Sequence, residues 1–217
     1  MRLVIDMQGT QNASRFRGIG RYSLALVQGL VRHRGDHEVI LVLNDAFPET
    51  IGPLRAAFAD TLPRENIRVW SAPGPTAANK PENGPRRRRA EAIYEAFLAS
   101  LNPDIIHVTS VFEGFDDDVT TSIGALDLGI ATSATLYDFI PLHDPDRFLK
   151  PNPVFAAMYR DKMDQMRRAD LLLAISAFSA EDGVAVLGVE ESKVVNVGAA
   201  CSEMFKPSDM PAAQRAA

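Results

Sequence analysis

Residues 1–44 decide the fold: MRLVIDM (1–7), the polar loop QGTQNASRF (8–16), RGIGRYSLALVQGL (17–30), VRHRGD (31–36) and HEVILVLN (37–44). The first and last segments are short apolar runs rich in Val, Ile and Leu, as a strand buried on both faces requires. Between them, Ile19, Tyr22, Leu26 and Leu30 recur at spacings of three and four and predict a helix with one apolar face. Strand, helix and strand in that order form one unit of a parallel sheet.

The unit repeats along the chain. Further strands are predicted at residues 66–70, 104–109, 131–137, 169–175 and 193–197, beside those at 2–7 and 38–44. Helical stripes separate them: Ala90, Ile93, Tyr94, Phe97, Leu98 and Leu101 precede the fourth strand, and Phe155, Met158, Tyr159, Met163 and Met166 precede the sixth. The methionine-bearing stripe reads as core, because thioethers fill irregular gaps. The expected fold is therefore α/β, a Rossmann-like three-layer sandwich around a mostly parallel seven-stranded sheet.

Composition bounds the rest. The 217 residues carry 23 Lys plus Arg against 28 Asp plus Glu, a formal charge of -5, so nothing in the total attracts nucleic acid. Cys201 is the single cysteine and cannot close an internal disulfide, which suits a reducing cytosol. The N-terminus turns polar at Asp6, too early for a signal peptide, and no run reaches the roughly 18 apolar residues of a membrane span. A cytoplasmic protein is expected. Residues 73–85 hold several prolines and glycines and read as a mobile surface loop. Four consecutive arginines at 86–89 follow, a solvated first helical turn or an anion or lipid-headgroup contact. Beyond residue 206 the periodicity fades, so residues 1–206 are expected to form the domain and 207–217 a frayed tail or the start of a linker.

Ligands of open parallel sheets bind beyond the carboxyl ends of the strands, and four loops lie there. The first carries Gly9, Asn12, Ser14, Arg15 and Arg17 and opens a helix through Gly18, Gly20 and Arg21, an offer to an anion through free amides and the helix dipole. Its glycines could equally just shape a turn. A nicotinamide fingerprint is absent, since Gly18 lies far from the strand and Ser23 stands where a last glycine belongs. The second loop contains His107, read as a core histidine, and Glu113, read as the freer group. In the third, Tyr137 and Asp138 precede a stiff Ile-Pro turn, so Asp138 either caps that turn or orients a hydroxyl and accepts its proton. The fourth begins with Ser176, a helix cap with Gly188 as its stop. His143 and Asp144 lack a third ligand at metal-site spacing, so no bound metal is expected. No nucleophile elbow surrounds a serine.

Together, RGIGRYSLALVQGL (17–30), DIIHVTSVFEGF (104–115), TLYDFIPLHDPDRFL (135–149) and ADLLLAISAFSAEDGVAVLGVEESKVVNVG (169–198) resemble the N-terminal half of a family 4 glycosyltransferase of retaining type and GT-B fold, the bacterial mannosyltransferase-like members above all. The resemblance implies an acceptor-side domain of an enzyme that moves a sugar from a nucleotide-sugar donor to a glycan or lipid-linked acceptor, without cofactor or metal, in bacterial surface polysaccharide synthesis. It further implies an absent C-terminal domain that grips the donor, inactivity of the isolated chain, and an address in the cytoplasm that leaves peripheral contact with the inner face of the cell membrane open. By the same resemblance Gly18, Gly20 and Arg21 face the donor diphosphate, Asp138 is catalytic, and Arg15, Arg17, Glu113 and Tyr137 bind acceptor. Tyr137 stands where the family usually has histidine. The competing reading is a Rossmann-type binding module or pseudoenzyme without catalysis.

Overall fold

The computed structural model describes residues 1–200; the expected tail at 207–217 and Cys201 lie outside the described residues. Seven strands form one sheet: β1 (Arg2–Asp6), β2 (Glu38–Asn44), β3 (Ile67–Trp70), β4 (Ile105–Val108), β5 (Ala131–Leu136), β6 (Leu171–Ala174) and β7 (Val194–Asn196). Their order is β3-β2-β1-β4-β5-β6-β7, and every neighbouring pair is parallel. The helices are α1 (Gly18–Arg32), α2 (Pro48–Ala57), α3 (Gly84–Ser100), the short α4 (Ile140–His143) and α5 (Pro145–Phe148), α6 (Pro153–Arg168) and α7 (Ala177–Leu187). All seven expected strands are present, each within two residues of its predicted ends.

Alternation along the central strands builds two cores. Ile5, Val39, Leu41 and Leu43 pack with Val27 and Val31 of α1 and with Leu54 and Phe58. Val4, Ile40 and Val42 point the other way, into a larger core with Tyr94 and Leu98 of α3 and Tyr159, Met163 and Met166 of α6. Because both faces of the sheet are covered, the middles of β1 and β2 are apolar on both sides and read as unbroken runs, whereas β4 and β5 also bury His107, Ser133 and Thr135, the histidine bonding the other two. The methionine stripe of α6 is core.

Two helical faces differ from the sequence expectation. In α1 the buried line is Gly20, Ser23, Val27 and Val31, one position beyond the expected stripe, whose Ile19, Tyr22, Leu26 and Leu30 are half-buried. Small Gly20 and Ser23 let neighbouring loops close onto the helix. In α3, Ile93 is exposed while Glu91 and Glu95 are buried. Glu95 accepts hydrogen bonds from Ser122 Oγ at 2.7 Å and from the Ala125 and Leu126 amides at 2.9 and 2.7 Å. Lys162 of α6, also buried, donates to the Thr121 carbonyl and hydroxyl and offsets the Glu91 charge. A buried charge left without such partners would cost several kcal/mol, so these residues cannot be read as a solvated face.

The segment at 73–85 is not the mobile loop its composition suggests. Thr76, Ala77 and Ala78 are buried. Asp118 accepts from the Thr76 and Ala77 amides at 2.6 and 3.1 Å, and the Ala78 and Asn79 amides donate to the carbonyls of Gly114 and Phe115. The arginines that follow form the first turn of α3, with Arg86, Arg88 and Arg89 exposed and Arg87 lying 3.8 Å from Glu91.

At the end of β1, Asp6 is fully buried beside Gln8, whose side chain donates to it at 2.9 Å. Burial pushes its carboxyl up to about 7 from the ordinary 3.8. A native carboxyl that keeps its proton until about pH 7, while the unfolded chain releases it near 4, favours folding most at low pH, and that contribution is lost as pH rises across the window. Asp6→Asn is therefore expected to gain stability relative to wild type between about pH 4 and 7, with a slope approaching 1.4 kcal/mol per pH unit. Urea midpoints at pH 4.5 and 7 check it; an offset that does not change with pH would show that Asp6 is ionised in the folded state.

Candidate functional site

The sheet reverses its order between β1 and β4, and the loops leaving these strands meet there. Asn12 donates to Glu113 at 2.6 Å and to Asp117 at 2.9 Å, Ser14 donates to Glu113 at 3.1 Å, and Ser110 donates to it at 2.9 Å. Glu113 is thus a buried clasp rather than the free group expected of it. Burial raises its carboxyl above the ordinary range. The two loops are locked to each other, and the clasp occupies the gap between them.

The first loop lies against α1, and one glycine makes this feasible. A Cβ on Gly20 would stand 2.4 Å from Arg15 Cα and 2.4 Å from the Ser14 carbonyl oxygen, so only glycine lets the backbone approach so closely. Gly18 has open space around it. Arg17 takes the cap position of α1 in an extended conformation and its side chain makes no capping bond, so it supplies no acceptor to the first amides of the helix. The side chains of Arg17 and Arg21 are exposed at this end. Arg15 instead folds back onto its own loop, donating to the Gln11 carbonyl, lying over the Phe16 ring at 4.5 Å and standing 3.6 Å from Glu49.

Tyr137 ties the third loop to this region. Its hydroxyl bonds Ser23 Oγ at 2.9 Å and donates to the Thr109 carbonyl at 3.2 Å, while its ring meets Tyr22 edge-on at 5.7 Å. Burial raises its pKa, so it stays protonated. Asp138, the next residue, is exposed, and its Oδ1 accepts the Ile140 amide at 3.1 Å. It caps the turn and keeps its second oxygen open. The arrangement therefore brings Gly18, Arg17, Arg21 and, through Tyr137, Asp138 to one sheet edge, and withdraws Arg15 and Glu113 into the scaffold.

His107 is the core histidine its strand implies, held by Ser133 Oγ at 2.9 Å and Thr135 Oγ1 at 3.2 Å, with burial lowering it to about 4. Ser176 caps α7 by accepting the Ser179 amide, and Gly188 ends that helix in the left-handed region. Among the described residues no three His, Cys, Asp or Glu side chains converge as metal ligands. Sequence reasoning passed over one pair: His143 Nε2 lies 2.9 Å from both carboxylate oxygens of Asp182, linking α4 to α7. The two residues are 39 positions apart, and no local spacing joins them.

A parallel sheet whose carboxyl edge carries an uncapped, arginine-flanked helix start and a strand-end carboxylate has the furniture of proteins that handle anionic, activated substrates. The match to known sequences is more specific. The model of Glycosyltransferase Family 4 matches residues 16–197, and the chain belongs to that family. A serotype-specific mannosyltransferase WbdA of Escherichia coli is 34% identical over 213 residues, 98% of this chain and 25% of the relative; a second WbdA is 32% identical over 186 residues, 85% of this chain and 23% of the relative. The chain thus spans about a quarter of the length of these curated relatives. Among solved structures, Arabidopsis thaliana UGT89C1 complexed with quercetin superposes with a TM-score of 0.51 at 13% identity, over 99% of this chain and 54% of that one. A UDP-glucosyltransferase from Polygonum tinctorium gives 0.50 at 14% identity, over 99% and 55%. These likenesses fix the fold as the Rossmann-like half seen in such enzymes. No helix among the described residues is long and apolar enough to cross a membrane.

Proposed function

We propose that this chain is the acceptor-side domain of a retaining, metal-independent glycosyltransferase, which moves a sugar, mannose by analogy with the relatives' names, from a nucleotide-sugar donor to a glycan or lipid-linked acceptor of a bacterial surface polysaccharide. The observation that carries the reading is the open start of α1, with Gly18 in free space and Arg17 and Arg21 exposed, beside the strand-end carboxylate Asp138. In glycosyl transfer the anomeric carbon becomes cation-like while negative charge grows on the departing diphosphate. Aligned amides and guanidinium groups stabilise that charge where it develops. A second domain closing over this edge would supply the rest of the cage and exclude water. The exposed arginines at 86, 88 and 89 support a peripheral contact with an anionic membrane face.

Binding of a nucleoside diphosphate to the full-length protein tests the assignment. Arg17→Ala and Arg21→Ala are expected to weaken it, by a margin that shrinks as salt rises, because exposed charges act through a screened field. Arg15→Ala is expected to act through the loop it braces, with a lowered melting temperature and a loss that salt does not change. Equal binding by wild type and the Arg17→Ala, Arg21→Ala double variant at low salt would remove the helix start from the donor site.

A further inference from the structure

Most large apolar side chains of this protein are hidden, yet Phe178 is 70% exposed and Ile140 52% exposed. Both follow directly on neighbouring strands: Ile140 opens α4 after β5, and Phe178 sits in the first turn of α7 after β6. They belong to the same sheet edge as Asp138. Asp182 lies one helical turn beyond Phe178, on the same face of α7. Its carboxylate, only 11% exposed, is held by His143, which is itself half-exposed. Beneath this surface the Tyr159 hydroxyl is buried and finds no hydrogen-bond partner among the described residues. Burial, and after it the charges of Asp138 and Asp182, raise the pKa of that hydroxyl, so it stays protonated.

A buried phenol hydroxyl without a partner is unusual, because its desolvation goes uncompensated. Three elements thus converge on one place, bringing an open aromatic face, two carboxylates, an imidazole and an unpaired hydroxyl. A pyranose matches that set. Its axial C–H groups form an apolar face that lies against an aromatic ring, and its rim of hydroxyls both donates to carboxylates and accepts from a phenol or imidazole. A purely apolar partner would strip water from the open oxygen of Asp138 without replacing it, and an anionic one would meet two like charges.

We infer that Phe178, Asp182, His143 and Tyr159 form, with Asp138, a carbohydrate subsite that holds a sugar unit of the acceptor. Phe178 is the platform, Asp182 the hydroxyl acceptor that His143 positions, and Ile140 the apolar flank. The inference rests on the transferase reading and gives its acceptor a place. It also accounts for Phe178 being left in water on a protein with both cores full.

The test is saturation-transfer NMR on the full-length protein, with α-mannotriose as probe and methyl α-glucoside and methyl α-galactoside in parallel. Saturation of aromatic protons is expected to reach the ring protons of at least one of these sugars. Phe178→Ala should raise its dissociation constant by about tenfold or more, and Tyr159→Phe by a smaller factor, with melting temperatures near wild type because Phe178 packs on little. Asp182→Asn keeps an oxygen for His143 and should still weaken the sugar. Failure of all three sugars to bind, or equal binding by wild type and Phe178→Ala, overturns the subsite. Nucleoside diphosphate binding is measured on the same samples. If it survives while the sugar result is negative, the subsite falls and the transferase reading stands; if Phe178→Ala loses both ligands together, Phe178 packs against the remainder of the protein and the subsite likewise falls.

Discussion

Asp138→Asn in the full-length protein is expected to lower turnover by about 10²-fold or more, the scale of positioned acid-base work. The variant separates the two roles that one carboxylate can have here. Asparagine retains the Oδ1 acceptor for the Ile140 amide, so the turn and the melting temperature should be preserved. What it loses is the charge and the basicity of the second, open oxygen. Asp138→Ala removes the cap as well and should add a stability loss of about 1 kcal/mol, typical of a lost side-chain cap. Steady-state rates with thermal melts on the same preparations check both. If Asp138→Asn turned over like wild type, the residue would be a turn cap and nothing more.

The isolated 217-residue chain is expected to show negligible transfer beside the full-length protein. On the proposed reading its sheet edge offers one helix start and the exposed Arg17 and Arg21 to a diphosphate. Stabilisation of charge on a leaving group depends on donors fixed around it in a site that excludes water. Half of such a cage, open to solvent, leaves competing water in place and the effective dielectric high. A coupled assay for released nucleoside diphosphate, run at equal molar concentrations of the two proteins, measures the difference. Comparable turnover would show that the described domain holds donor and acceptor by itself.

Much of the architecture can be read from the chain. The runs RLVID and EVILVLN are bounded by polar loops and lie where β1 and β2 lie, because a strand covered on both faces is largely apolar along its length. Ser176 and Gly188 mark the ends of α7 for reasons contained within a few residues, a side-chain acceptor and a left-handed backbone. The glycine loop with its arginines, and Asp138 at a strand's end, were visible as candidates for the same reason: each is a local pattern at a predicted boundary.

Other features of the candidate site were not legible. Arg15, Arg17 and Arg21 look alike in sequence, and only the folded loop distinguishes the one bonded to Gln11 and Glu49 from the two left exposed. Glu113 looked free because its partners, Asn12 and Ser14, come from about a hundred residues earlier. The loop at 73–85 looked loose because Asp118, which anchors it, is about forty residues away. Charged Glu95 and Lys162 are buried for the same cause, through partners at Ser122 and Thr121 distant in the chain.

The sequence by itself determined the parallel sheet, its seven strands and the sheet edge where the candidate residues gather, since these follow from periodicity and capping that act over a few neighbouring residues. Tertiary structure alone decided which polar groups at that edge are scaffold and which are available. A buried carboxylate or guanidinium is tolerated only where donors or acceptors meet it, and here those partners arrive from strands and loops that the fold, not the local sequence, brings together.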